Sequence, residues 1–245
     1  MVGRARVHAW ECGPQAGAPG TVVLLPGLGL PTYALRVARE VGRAGMRSVL
    51  LDLPGFGRHG GRAVPPDVDA VGRAAAAWVG QHVTGPVVVA GHSTAAQAAL
   101  GAALLLQHDR RDATLVMAGP TFRPAHRRWG RLLLATPAAY RRDPPTELLL
   151  ALPDLVRGRV GVVAVLRSGL ADAPEERIRG LTLPLVLTAG VRDSYAPAAW
   201  LQALRAAALR SPSVRLVRPE GSHNNLYTHP EQVARVLASP LAGGW

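Results

Sequence analysis

One serine in this chain stands where a nucleophile can be made. Ser93 lies in Gly91-His92-Ser93-Thr94-Ala95, between the β-branched run 86–90 and an Ala-rich stretch. A serine between a buried strand and a helix, with small side chains two residues away on either side, is the layout of a nucleophile elbow. The turn is sharp enough to strain the serine backbone, and bulky groups at 91 and 95 would collide with the neighbouring strand and helix. Oγ is then held at the positive N-terminal end of the helix. As a bare string the spacing says little in a chain this rich in Gly and Ala, and it is the strand-turn-helix setting that makes it specific. The competing reading is a serine that merely caps the following helix.

The elements that would position such a serine alternate. Short apolar, β-branched runs bounded by Gly or Pro, at 21–25, 47–51, 87–90, 113–117, 183–187 and 214–217, read as buried strands. Between them, 33–44, 68–83, 94–107, 197–209 and 230–237 carry helical spacing, several opening with Pro or Thr. Strand and helix in alternation imply an α/β protein with a mostly parallel sheet and helices on both faces. From 121 to about 180 the rhythm breaks: no clear strand is visible, and helix-like pieces such as 129–135 and 147–152 are separated by Pro137, Pro144, Pro145 and Pro153. That is too long for a connection in a compact domain. The expectation is a core formed by 1–120 and 181–245 with a helical cap at 121–180, and a short tail from Leu241.

Composition narrows the function classes. The chain has 245 residues, 28 basic against 16 acidic side chains and a net charge of +12. Every basic residue is Arg, none is Lys, and no basic run exceeds a pair such as Arg141 and Arg142. A nucleic-acid binder concentrates its charge on one face, so no nucleic-acid partner is expected. Cys12 alone excludes an intramolecular disulfide and fits a reducing, cytoplasmic compartment. Residues 1–6 run into Val7 without the apolar stretch of a secretory leader. Residues 74–108 contain no charged side chain, but Gly85 and Pro86 divide them, so neither a spanning helix nor a membrane partner is expected. No histidine pair has metal-ligand spacing, and the glycines at 55, 57, 60 and 61 lack the Lys and Ser or Thr of a phosphate loop. No metal or cofactor is expected.

With its elbow at Ser93, the chain resembles the α/β-hydrolase fold family over nearly its whole length. Leu24-Leu25-Pro26-Gly27-Leu28-Gly29 is similar to that family's oxyanion loop, and Asp52-Leu53-Pro54-Gly55-Phe56-Gly57 to its turn after the next strand. The resemblance implies an acid after a late strand and a histidine after the last one. Asp193 and His223 occupy those places, in the chain order Ser, Asp, His. In that reading His223 takes the proton from Ser93 and later returns it to the leaving group, Asp193 holds the imidazole, and the backbone N–H groups of Leu28 and Thr94 receive the oxyanion. Asp172, Glu175 and Glu176 compete for the acid role, and His229 and His92 for that of the base. Two departures stand out: Pro26 where the family has His, removing a hydrogen bond that would order the loop, and Ala95 where Gly is commoner.

The resemblance implies a serine hydrolase acting through an acyl-enzyme on a carboxylic ester, thioester or lactone of a small to medium apolar acid. The alternatives are C–C bond hydrolysis or cofactor-free perhydrolysis on the same fold, and a ligand-binding protein with little turnover. A homo-oligomer is left open. In the cap, Trp129, Leu132, Leu133 and Leu134 read as packing or as pocket lining, and Arg123, Arg127, Arg128 and Arg131 as solvated surface or as an anion site.

Overall fold

The computed structural model describes residues 7–53, 64–140 and 143–243. The turn expected at 52–57 falls outside them beyond Leu53, as do the glycines at 55–61, residues 1–6 and the pair Arg141 and Arg142.

Seven strands form one sheet in the order β1-β3-β2-β4-β5-β6-β7. They are β1 (His8–Cys12), β2 (Thr21–Leu25), β3 (Arg47–Asp52), β4 (Val87–His92), β5 (Ala113–Ala118), β6 (Leu185–Thr188) and β7 (Val214–Val217). All pairings are parallel except β1 with β3. The six parallel strands lie where the β-branched runs predict them, with β6 starting two residues later than expected, after Pro184. The seventh, β1, was not anticipated: HAWEC has no apolar run, because as an antiparallel edge strand it is only partly covered.

Alternation along each strand supplies two cores. Val23, Val49, Val89, Leu115 and Leu185 face one side, where α2 (Val68–His82), α3 (Ala95–His108) and α7 (Ala198–Ala207) pack. Val22, Leu24, Leu50, Val88, Val116 and Val186 face the other, against α1 (Leu35–Arg43) and α9 (Pro230–Ala238). Both faces of the sheet are thus covered by apolar helix surface, which is why the strands read as nearly continuous hydrophobic runs. Leu241, expected in a tail, packs on the second core.

Between β5 and β6 the chain runs through α4 (Trp129–Tyr140), α5 (Pro145–Ala171) and the short α6 (Pro174–Arg177). Pro144 and Pro145 mark the break between α4 and α5 as the sequence suggests, whereas Pro137 and Pro153 divide nothing. Pro145 sits in the first turn of α5, where its missing N–H costs nothing, and α4 and α5 continue through Pro137 and Pro153. The interruption in α5 is instead at Arg159, whose φ is 37°. A small separate cluster of Phe122, Leu132, Ala139, Leu170 and Tyr195 ties this segment to the loop after β6.

The strand order reverses at β2: the chain goes outward to β3 and then returns to the far side of β2 to form β4. Such a switch point opens a crevice beyond the C-terminal ends of the two strands, where α/β proteins bind ligands. The Pro26-Gly27-Leu28 loop and Ser93 lie at those two ends.

Candidate active site

Ser93 follows β4 directly and has φ of 58°, a left-handed conformation rare for a side chain of this kind. The turn is held by the Ser93 N–H donating to the Ala118 carbonyl of the neighbouring strand (2.9 Å). Glycine at 91 is needed for the same turn, since a Cβ there would lie 2.0 Å from the Ala95 carbonyl oxygen. The methyl of Ala95 is accommodated and buried.

The structure brings Ser93, His223 and Asp193 together. His223 Nε2 is 3.0 Å from Ser93 Oγ, and His223 Nδ1 is 3.0 Å from Asp193 Oδ2. Asp193 follows β6 and also organises its own turn, its Oδ1 accepting from the N–H groups of Tyr195 (2.9 Å) and Ala196 (3.1 Å). Burial acts to raise the Asp193 pKa, but the His223 charge and hydrogen bond, the Ala196 N–H and His92 outweigh it and hold the carboxyl below its usual value. Gly119 (φ 54°) passes beneath the pair, and a Cβ there would approach Asp193 Oδ2 to 3.2 Å. The rings of Tyr195 and Tyr140 meet the His223 imidazole edge to face, at 4.9 and 5.6 Å between centroids. Thr121 Oγ1 lies 2.9 Å from Ser93 Oγ.

The competing residues lie elsewhere. Asp172 pairs with Arg177 and accepts a hydrogen bond from Gln97 Nε2, Glu175 pairs with Arg127, and Glu176 with Arg179. His229 precedes α9. His92 is buried against the site and hydrogen-bonded on both ring nitrogens, to Tyr33 Oη through Nδ1 (2.7 Å) and to the His223 carbonyl through Nε2 (3.0 Å). Burial, reinforced by the charge of His223, lowers its pKa to about 3.

The loop after β2 is ordered without the missing histidine. Gly27 N–H donates to Tyr33 Oη (2.6 Å), and Leu28, at φ 56°, donates its N–H to Thr94 Oγ1 (2.8 Å). The Leu28 amide therefore stands beside the elbow but is engaged by the Thr94 side chain. The Thr94 N–H has no acceptor among the described residues.

Ser93 opens into a cavity of about 380 Å³ whose walls include Leu28, Leu30, Thr136, Tyr140, Leu155, Asp143 and Asn224. None of the four cap residues weighed as packing or pocket lining lines this cavity: Leu132 is packed in the small cluster, while Trp129, Leu133 and Leu134 face solvent, Leu134 at 83% exposure. Packing and solvent contact claimed the face that periodicity marked as apolar. The arginines named with them do not line the cavity either; Arg127 pairs with Glu175 and Arg123 bonds His126. Tyr33, Thr121, Tyr140, Asp143, Tyr195 and Asn224 carry no local motif that singles them out in the sequence. Among the described residues no three His, Cys, Asp or Glu side chains converge as a metal site, and no helix is long and apolar enough to cross a membrane.

A mainly parallel seven-stranded sheet, with a serine on the strained turn after β4 and an acid and a histidine after β6 and β7, defines the hydrolase class of α/β proteins. The chain belongs to the alpha/beta hydrolase family, whose model matches residues 22–236. Its fold is similar to that of the enol-lactonase from Burkholderia xenovorans LB400, at 16% identity over 98% of both chains and a TM-score of 0.76. It is also similar to a thermophilic esterase from Thermogutta terrifontis, at 19% identity over 97% of this chain and 93% of that one, with a TM-score of 0.70. A type II thioesterase of the yersiniabactin biosynthetic pathway shares 19% identity over 96% of this chain and 98% of that one, with a TM-score of 0.67. Among curated proteins none matches the sequence.

Proposed function

We propose that this chain is a serine hydrolase that cleaves a carboxylic ester, thioester or lactone through an acyl-enzyme. The observation that carries the reading is the unbroken line from Ser93 Oγ through the His223 imidazole to Asp193, 3.0 Å at each step, at the wall of a cavity large enough for a small substrate.

Asp193 accepts a hydrogen bond from the Nδ1–H of His223 and keeps the hydrogen there, so Nε2 is left as the base facing Ser93. Ser93 Oγ attacks the carbonyl carbon as its proton passes to Nε2, the C=O π electrons move onto the oxygen, and an oxyanion forms. The Thr94 N–H, at the start of α3, and the Leu28 N–H are its donors; Leu28 leaves Thr94 Oγ1 for the stronger acceptor. The imidazolium gives its proton to the leaving oxygen or sulfur as that bond breaks. Water then repeats the sequence on the acyl-enzyme and releases the acid.

In this reading the helices between β5 and β6 act as a cap that closes the cavity, and the substrate is a small molecule with an apolar acyl part. The single cysteine suits a cytoplasmic setting. Intact-mass labelling with a fluorophosphonate tests the assignment. One adduct, mapping to Ser93 and absent in Ser93→Ala, is expected, together with ester or thioester turnover lost in the same variant. A folded protein that takes no adduct, or equal turnover in Ser93→Ala, overturns it.

A further inference from the structure

The chain leaving β5 passes Ser93 and is pinned on both sides of Thr121. The Gly119 N–H donates to the Thr188 carbonyl at the end of β6 (2.7 Å), Nε1 of Trp200 on α7 donates to the Pro120 carbonyl (3.0 Å), and Phe122 is buried in the small cluster with Leu132 and Leu170. Thr121 itself is buried, and its hydroxyl reaches two groups, Ser93 Oγ at 2.9 Å and the Gly119 carbonyl at 3.3 Å. Each hydroxyl has one hydrogen to give. If Thr121 gives its hydrogen to Gly119, two arrangements remain. Either Ser93 donates to Thr121 and His223 Nε2 loses its donor, or Ser93 donates to Nε2 and the two hydroxyl oxygens face each other lone pair to lone pair. If Thr121 donates to Ser93 instead, both hydroxyls and Nε2 are satisfied, and the bond runs over the shorter of the two Thr121 contacts; 3.3 Å is long for O–H···O. The hydrogens then point one way, from Thr121 to Ser93 to His223 to Asp193.

We propose that Thr121 is a further catalytic residue, whose hydroxyl donates to Ser93 Oγ and stabilises the charge on that oxygen each time its bond to the acyl carbon forms or breaks. The proposal rests on the ester-hydrolase reading for its reaction, and on the Thr121 contact for the residue. As Ser93 attacks, its proton passes to Nε2 of His223 and the O–H electron pair stays on Oγ until the new C–O bond takes up the charge; the Thr121 bond is strongest there, because a hydrogen bond to a charged oxygen exceeds one to a neutral oxygen. In the acyl-enzyme Oγ is an ester oxygen and a weaker acceptor. When water has added and the second tetrahedral intermediate collapses, the C–Oγ bond breaks with its electron pair going to Oγ, and the imidazolium gives Oγ the proton taken from water. Thr121 again donates to the departing oxygen. Its own hydrogen is never transferred, so no further proton enters the balance. An interaction stronger in the transition state than in the ground state lowers the barrier.

The test sets the hydroxyl of Thr121 against its shape. Thr121→Val keeps the branched side chain and removes the hydroxyl, whereas Thr121→Ser keeps the hydroxyl and removes a buried methyl. A donor to Ser93 predicts that the Val variant loses at least about tenfold in kcat on p-nitrophenyl butyrate and in the rate of fluorophosphonate labelling at Ser93, with KM little changed, while the Ser variant stays within about threefold of the wild type. A packing role predicts the reverse order, with Val tolerated and Ser impaired, and urea unfolding of each variant reports packing separately. Should Thr121→Val misfold, Thr121→Ala against Thr121→Ser isolates the hydroxyl, since both lack the methyl, and the same gap of about tenfold is expected. Hydroxyl-free variants that label and turn over at the wild-type rate, or faster, overturn the proposal, as does a Ser variant as slow as Ala. In those cases the wild type is still labelled at Ser93 and still cleaves the ester, so the hydrolase reading stands. A wild type that takes no phosphonate and cleaves no ester overturns both.

Discussion

The hydroxyl of Tyr33 lies 2.7 Å from Nδ1 of His92. The proton positions along this contact follow from its neighbours. The His223 carbonyl can only accept, so His92 Nε2 carries a hydrogen; Nδ1 of the neutral ring is then an acceptor, and Tyr33 is its donor. Tyr33 Oη in turn accepts from the Gly27 N–H. The result is a one-directional chain, Gly27 to Tyr33 to His92 to the His223 backbone, that ties the loop after β2 to the loop after β7 beneath Ser93.

Tyr33→Phe removes the middle of that chain and leaves the Gly27 N–H and His92 Nδ1 without their partner. A loss of about 1–3 kcal/mol in stability is expected from urea titration, the usual cost of orphaning buried polar groups. Because the Gly27 loop also carries the Leu28 N–H, kcat for an activated ester is expected to fall about tenfold, with a smaller change in KM, since a misplaced donor is felt most in the transition state.

His92 makes stability depend on pH. Its pKa falls from 6.5 to about 3 on folding, so between those values the unfolded chain binds a proton that the folded protein does not. The contribution is fully present above pH 6.5 and is lost as pH falls toward 3, at up to about 1.4 kcal/mol per pH unit. Urea unfolding at a series of pH values across this range checks the slope. His92→Gln, which has no titrating group, is expected to flatten it.

Asp193→Asn keeps the size of the side chain and removes its charge. The amide can offer a hydrogen to Nδ1, which favours the imidazole tautomer with its hydrogen on Nε2, the wrong one for accepting from Ser93. A fall of roughly 10³ to 10⁴ in kcat is expected. The rate of fluorophosphonate labelling at Ser93 should fall with it, while circular dichroism reports a folded protein. Labelling at the wild-type rate would separate Asp193 from the activation of the serine.

Local chemistry explains which parts of this architecture could be read in advance. Strands β2 to β6 are buried on both faces, so each is written as a β-branched run closed by Gly or Pro, and the half-buried edge strand β7 still shows Val214, Leu216 and Val217. The Gly91-His92-Ser93-Thr94-Ala95 turn is legible for a similar reason: the close passage of β4 against α3 admits only a glycine at 91. Asp193 and His223 stand just beyond strands that were themselves legible, so resemblance to a known chain order was enough to single out the two residues that the structure places in line with Ser93. The edge strand β1 escaped because half-exposed residues need no apolar run. Prolines 137 and 153 misled because a helix packed in tertiary structure tolerates the loss of a single N–H that would weaken an isolated one.

The sequence by itself determined the alternation of strands and helices, the strained serine turn and the residue types available for proton transfer, since these depend on neighbours a few positions apart. Tertiary structure alone decided which oxygens meet which donors. Tyr33 reaches His92 across 59 residues, Thr94 reaches the Leu28 amide across 66, and Ser222 delivers its hydroxyl to Asp143 across 79. Hydrogen bonds are short and directional while the segments that supply them are remote in sequence, so no local pattern marks such pairs until the sheet has brought its loops together.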